Sequence, residues 1–264
     1  MTTFFNNAVR KVNVYQNKQA GFTLIELVTV IIIIGVLAVG MSSFLQFGSQ
    51  IYQESTSRDQ LISSARFALE RLNREVRSAL PNSANVNGAC LEFTPIATSS
   101  IYTDIPVAPD PASSTISVVR FDQSLFSDEQ KVAVYPLNYN DSLMGNGKVY
   151  QIATNGLNAA GDVWEITLDE TDGDNPPFHF AAHSPTRRIF FIELPLKYCR
   201  EGTELVRYVN DNNRTVMAEN ISTVEFKAIP ATLTRNGIVQ IRLEFNNYNE
   251  VITFNNEIQV PNVP

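Results

Sequence analysis

The sequence predicts an α+β protein in which a long N-terminal helix, membrane-spanning in its first half and amphipathic in its second, packs on an antiparallel β-rich head. Three observations predict it. Residues 22–47 carry a single charge, Glu26, in an otherwise apolar or uncharged run. The apolar stripe Leu61, Ala65, Leu69, Leu72, Val76, Leu80 then recurs at helical spacing. Beyond it come short β-branched and aromatic runs punctuated by Asn, Asp, Gly and Pro, with no alternation of strands and helices.

The first element is a leader, residues 1–21. It holds Arg10, Lys11 and Lys18 and no acid, so it is +3 within a chain whose net charge is −7, leaving −10 for the remainder. It has no helical or strand period and ends in Ala20-Gly21, as a processed or targeting segment does. The second element, residues 22–47, is long enough to cross about 30 Å of hydrocarbon as a helix. Basic residues lie only on its N-terminal side, which places that side in the cytoplasm and the rest of the chain outside. An ordinary signal peptide cut after Gly40 is the competing reading, with a simple N-terminal anchor as another. A long n-region and a carboxylate inside the apolar run argue against the signal peptide. A carboxylate at bilayer depth costs roughly 2.5–3.5 kcal/mol, so Glu26 needs a cationic partner, protonation or an interfacial position. Cleavage between Gly21 and Phe22 would create such a partner, an α-amine four residues upstream.

The third element is the amphipathic continuation, residues 48–80. Glu70 and Arg74 form an i,i+4 pair in the favourable order and Arg71 with Glu75 in the weaker one. Pro81-Asn82 ends the run. From Phe22 to Leu80 the helix would span roughly 88 Å, too long for one crossing, so half supports a head. The stripe is expected to pack on that head, and the arginines Arg58, Arg66, Arg71, Arg74 and Arg77 to form a solvated face.

The head, residues 81–264, has candidate strands at 90–96, 116–121, 131–135, 149–153, 163–168, 188–194, 204–209, 223–229, 238–245 and 251–260. In 238–245 Val239, Ile241, Leu243 and Phe245 alternate with Ile238, Gln240, Arg242 and Glu244, the pattern of a sheet buried on one face.

Chemistry is sparse. The acidic balance argues against a nucleic-acid binder held by phosphate contacts. Two Cys cannot supply an all-cysteine zinc site. His179 and His183 are four apart, but prolines bracket them and Phe180 stands where a metalloprotease carries Glu. Residues 144–148 (MGNGK) lack the spacing of a phosphate loop, and no G-x-S-x-G occurs. The acidic run containing Asp169, Asp172 and Asp174 is a weak calcium candidate, better read as a solvated turn. These residues predict no enzyme and no cofactor.

Gly21-Phe22-Thr23-Leu24-Ile25-Glu26-Leu27-Val28 resembles the processing motif of type IV prepilins. The resemblance implies a pilin-like fold, cleavage after Gly21 and N-methylation of Phe22 by a prepilin peptidase/methyltransferase. It also implies a docking role for Glu26, with Thr23 and Leu24 in the same assembly motif. A head of this size is more typical of minor pilins than of major ones. The run Ala65 to Glu75 (ARFALERLNRE) and Ala79-Leu80-Pro81-Asn82-Ser83 resemble the O-type minor pilins of the MSHA (mannose-sensitive haemagglutinin) pilus of marine gammaproteobacteria. So do Gly88-Ala89-Cys90-Leu91-Glu92-Phe93, Tyr198-Cys199 with Leu205-Val206-Arg207-Tyr208, and the closing residues Glu257 to Pro264. The J-type minor pseudopilins of type II secretion are similar in the helix. The leader is longer than the short one usual in this group, which points to a start downstream of Met1. The partners implied are other minor and major pilins, the inner membrane and its assembly platform. The site implied is the inner membrane first, with a periplasmic head, and an extracellular pilus afterwards. On the exported side Cys90 and Cys199 are expected to form one disulfide, the alternative being two buried thiols. A tip adhesin using the loops 98–115 and 137–148 is the other functional class left open.

Overall fold

The computed structural model describes residues 21–127, 130–169, 178–232, 235–247 and 250–261. The chain divides into two units, residues 1–55 and 56–264, and the single long helix α1 (Leu24–Arg77) has residues in both. In the first unit every described residue is exposed, including Phe22, Leu24, the isoleucines 31–34, Phe44 and Phe47. A helix that is apolar all round normally sits in a lipid or protein interior.

In the second unit α1 buries Leu61, Ala65, Ala68, Leu72 and Val76. These are the stripe residues, with Ala68 added and Leu69 only partly buried. The helix stops at Arg77, three residues before the expected Leu80. The backbone there turns to other partners: Leu80 N–H donates to Thr94 O at 2.8 Å, and Ile96 N–H to Ser78 O at 2.8 Å. Residues 78–80 are thus held by residues 94–96 instead of extending the helix.

The head begins with β1 (Asn85–Asn87) and β2 (Cys90–Phe93). The next strands are β3 (Ile96–Asp104), β4 (Thr115–Val119), β5 (Lys131–Val134), β6 (Val149–Ala160), β7 (Val163–Leu168) and β8 (Arg188–Ile192). They close into a six-stranded antiparallel barrel in the order β3-β4-β7-β6-β5-β8. Then come β9 (Leu196–Glu201), β10 (Glu204–Val209) and β11 (Asn212–Ala218), which extend β1 and β2 into a five-stranded sheet ordered β1-β2-β9-β10-β11. Finally β12 (Ile221–Ile229), β13 (Gly237–Asn247) and β14 (Glu250–Val260) form a three-stranded antiparallel sheet.

The barrel is an insertion. Neighbouring strands β2 and β9 pair directly, yet the whole barrel lies between them in sequence. Two cores follow from this. The helix stripe shares one with residues of β2 and β9–β14, among them Phe93, Tyr198, Leu205, Leu243 and Phe245, and no barrel residue enters it. The barrel fills its own interior with Val118, Val132, Ile166, Ile189 and Phe191. A small third cluster of Leu80, Ala133, Val149, Phe190 and Ile192 joins the two.

Local chemistry explains the irregular points. In β6 the register shifts between Ile152 and Leu157, where Asn155 adopts φ 56°. A Cβ on Gly156 would lie 2.7 Å from the carbonyl oxygens of Ala153 and Thr167, so the bulge demands glycine. Cys90 and Cys199 face each other in the β2–β9 register and are disulfide-bonded, S–S 2.06 Å.

One polar network lies between helix and sheet. Tyr198 Oη donates to Glu75 Oε2 at 2.6 Å, Arg207 Nε donates to the same oxygen at 3.0 Å, and Arg71 Nε donates to Glu75 Oε1 at 3.1 Å. Burial works to raise the Glu75 pKa, and the three hydrogen bonds outweigh it, so the carboxyl titrates below its ordinary range. A depressed carboxylate contributes stability that is present above its unfolded value, near 4.5, and is lost as pH falls through the folded value. Unfolding of the full chain in detergent should therefore show stability falling as pH drops below about 4.5, and Glu75→Gln should flatten that limb while lowering stability at pH 7 by about 2 kcal/mol. An unchanged acid limb in the variant would contradict the assignment.

The bridge constrains a loop of 109 residues. Replacing both cysteines with alanine should cost about 2–4 kcal/mol in urea unfolding, and no difference between oxidised wild type and the double variant would refute this.

Candidate functional site

The residues expected to act in processing and assembly occupy one short stretch at the start of α1. Thr23 is the N-cap: the Glu26 N–H donates to Thr23 Oγ1 at 3.3 Å, and the Leu27 N–H donates to Thr23 O at 3.2 Å. Leu24 and Ile25 are the first two helical residues and Glu26 the third, so Thr23-Leu24-Ile25-Glu26 has the T-x-x-E spacing of a capping box. The cap fixes where the helix begins. It leaves Gly21 and Phe22 outside the helix, both exposed. It also puts the Glu26 carboxylate in the first turn, at the positive end of the helix dipole. The sequence reading assigned Thr23 to assembly through the family motif alone; the T-x-x-E spacing carried the structural signal.

Around this cap every large apolar side chain is exposed; Phe22 retains 78% of its surface and Leu24 81%. Among the described residues α1 is the one helix long and apolar enough to cross a membrane. Thr29 and Ser43 return their hydroxyls to helix carbonyls, Glu26 O at 3.0 Å and Val39 O at 3.3 Å, so few polar groups interrupt the apolar surface.

The family model described as the prokaryotic N-terminal methylation motif matches residues 16–42. The N-terminus is prepilin-like. No curated protein and no solved structure matches the chain. A prepilin-like motif implies processing by prepilin peptidase and assembly with other pilins, and proteins that carry it are structural subunits and not enzymes. The exposed apolar helix is consistent with membrane anchoring and incorporation into a pilus.

The other singled-out residues lie elsewhere. Cys90 and Cys199 belong to the five-stranded sheet. Of the calcium candidates only Asp169 is described, with its N–H donating to Gln151 O at 2.9 Å; Asp172 and Asp174 lie outside the described residues. His179 Nε2 is 2.9 Å from Asp110 O, and His183 Nδ1 is 3.3 Å from Tyr102 Oη. Lys148, in the Gly-rich turn, pairs with Asp141 at 2.7 Å and so pins the loop before β6. Burial works to raise the Asp141 pKa, but hydrogen bonds from Lys148 and the loop backbone hold it low. Among the described residues no group of three His, Cys, Asp or Glu side chains is placed to hold a metal.

The cap gives a local expectation. Thr23→Ala should destabilise the first helical turn by about 1 kcal/mol, read as faster amide hydrogen exchange at Glu26 and Leu27 in micelles with no change at residues beyond the second turn. Equal protection in both proteins would remove Thr23 as the cap.

Proposed function

We propose that this prepilin-like chain is a minor pilin of an MSHA-type type IV pilus, similar to the O-type subunits, and that it helps prime filament assembly near the tip. The observation that carries the reading is the coincidence of the methylation motif at residues 16–42 with the wholly exposed apolar stretch 22–47, whose one charge is Glu26. Prepilin peptidase cleaves after Gly21 and methylates Phe22. The leader stays in the cytoplasm, α1 is held in the inner membrane, and the head lies in the periplasm, where an oxidising environment maintains Cys90–Cys199. At assembly Glu26 accepts the α-amine of a neighbouring subunit, which neutralises a charge otherwise costly in an apolar filament interior. The apolar half of α1 exchanges lipid for the helices of other pilins, and the head contacts other minor subunits. The similarity of the amphipathic helix to J-type pseudopilins supports a second reading, a minor subunit of a type II secretion system.

Deletion of the gene separates the two: loss of surface pili with normal enzyme export supports the pilus, and the reverse supports the secretion system. In the complemented strain Gly21→Ala should leave the unprocessed precursor on an immunoblot. Glu26→Ala should be cleaved normally yet fail to restore pili. Full piliation by Glu26→Ala would sink the docking role.

A further inference from the structure

The hairpin between β10 and β11 carries chemistry that neither the cores nor the N-terminal motif uses. The sequence holds three Asn-x-Ser/Thr triplets, starting at Asn140, Asn213 and Asn220. This is the spacing at which an exported protein accepts a sugar on the Asn amide. It also recurs by chance, and the fold separates the three.

The first and third triplets are closed. Asp141 and Ser142 are buried, and Ser142 Oγ donates to Tyr139 O at 2.6 Å. Ile221 is fully buried in the helix-bearing core, and Ser222 Oγ donates to Glu244 O at 3.1 Å. A transferase must hold the third residue's hydroxyl beside the Asn amide, so a hydroxyl committed inside the fold shuts the site.

The triplet Asn213-Arg214-Thr215 is open. Every residue from Asp211 to Val216 is exposed. Asn210 and Asp211 reverse the chain at φ 50° and 57°, and Asn213 follows at φ 50°. The register then steps from Val209–Asn212 to Arg207–Thr215, so Asn213 and Arg214 stand opposite Tyr208 alone, a β-bulge. The side-chain amide of Asn213 has no partner among the described residues. Thr215 Oγ1 reaches only the Asn213 carbonyl, at 3.4 Å, within the triplet itself. Arg214 is tied to Glu201 of β9 and Glu204 of β10, and not to the residues on either side of it. Asp211, two residues before Asn213, has a side chain 78% exposed and pairs with Lys197 at 3.0 Å. Residues 211–215 thus read D-x-N-x-T, the acidic form of the acceptor that bacterial oligosaccharyltransferases recognise.

We propose that Asn213 is an N-glycosylation site, the acceptor of a preassembled oligosaccharide. Asn213 Nδ2 attacks the anomeric carbon of the reducing sugar on a polyprenyl-diphosphate donor. The bond from that carbon to the diphosphate oxygen breaks, and polyprenyl diphosphate leaves with the electron pair. The amide gives up one proton to a carboxylate of the transferase, and Asp211 meets a cationic group of the same enzyme. The attached sugar chain would also cover the unpaired side of β11, the last strand of its sheet and otherwise open to another strand. The proposal rests on export of the head in the preceding reading, because donor and transferase act on the exported side of the membrane.

The test uses the full chain isolated from the membranes of its own organism. Trypsin cuts after Arg207 and Arg214, so residues 208–214 carry Asn213 without Thr215, and a sugar found there is not on the threonine. Mass spectrometry with electron-transfer fragmentation should place an oligosaccharide on Asn213 and leave Asn140 and Asn220 unmodified. Asn213→Gln and Thr215→Ala should each abolish the addition, Thr215→Ser should keep it, and Asp211→Ala should lose most of it. Thiol labelling of the same samples reads the Cys90–Cys199 bridge. Bridged protein with an unmodified Asn213 would overturn the site and leave export intact, whereas free thiols would take both down. An addition that survives Asn213→Gln, or one confined to Asn140 or Asn220, would also overturn it.

Discussion

The head depends on how α1 is held between its two sheets, and Glu75 is where that hold becomes specific. The stripe from Leu61 to Val76 is non-directional: Ala65, Ala68 and Leu72 would bury equally well after a small slide or rotation of the helix. A carboxylate that must meet Tyr198 on β9, Arg207 on β10 and Arg71 on its own helix admits one register. Such a network adds little net stability over an apolar packing but makes misplacement costly, because a displaced Glu75 or Arg207 would be buried and unpaired. On the opposite flank Asn256 of β14 donates to Asn73 Oδ1 at 2.8 Å, so the second sheet is registered as well.

With the helix and sheets fixed in this way, β2 and β9 become a firm base for an insertion. A six-stranded barrel grafted there needs no edge protection, since closure pairs every strand on both sides. Its interior is separate from the helix-bearing core, and Leu80, just past α1, seals the junction. The arrangement divides the labour by position. The residues assigned to assembly in the proposed reading lie at the start of the helix, and the far end of the barrel lies away from the joining cluster.

The elements that sequence reasoning found were those whose pattern is local. The stripe and the alternation in β13 each state a local period, and the structure buries the expected faces, with Leu69 only partly covered; the apolar run was legible from composition alone and is exposed throughout. What it missed is instructive. β11 reads as polar because it is an edge strand with five of seven residues exposed. β9 hides because Lys197 and Arg200 flank Tyr198 and Cys199 in only six residues, with no clean alternation. Residues 97–101 of β3 are rich in Ser and Thr, yet barrel closure supplies hydrogen-bond partners that no local pattern announces. The insertion itself was not read, although the expected Cys90–Cys199 bridge already tied the segment of β2 to one more than a hundred residues away. Arg71 and Glu75 were legible as a surface pair, but the partners that bury them, Tyr198 and Arg207, come from that distant sheet. At the N-terminus the motif was read from the sequence and its cap was not, although T-x-x-E is a local spacing.

The position of the disulfide also sets a load path. Tension applied between α1 and the strands after Cys199 crosses from Cys90 to Cys199 through the sulfur–sulfur bond, and residues 91–198 carry none of it. A filament subunit pulled along its axis would therefore extend without unravelling its barrel. The barrel becomes a mechanically shielded passenger, and whatever shape its distal end holds at rest it keeps under strain.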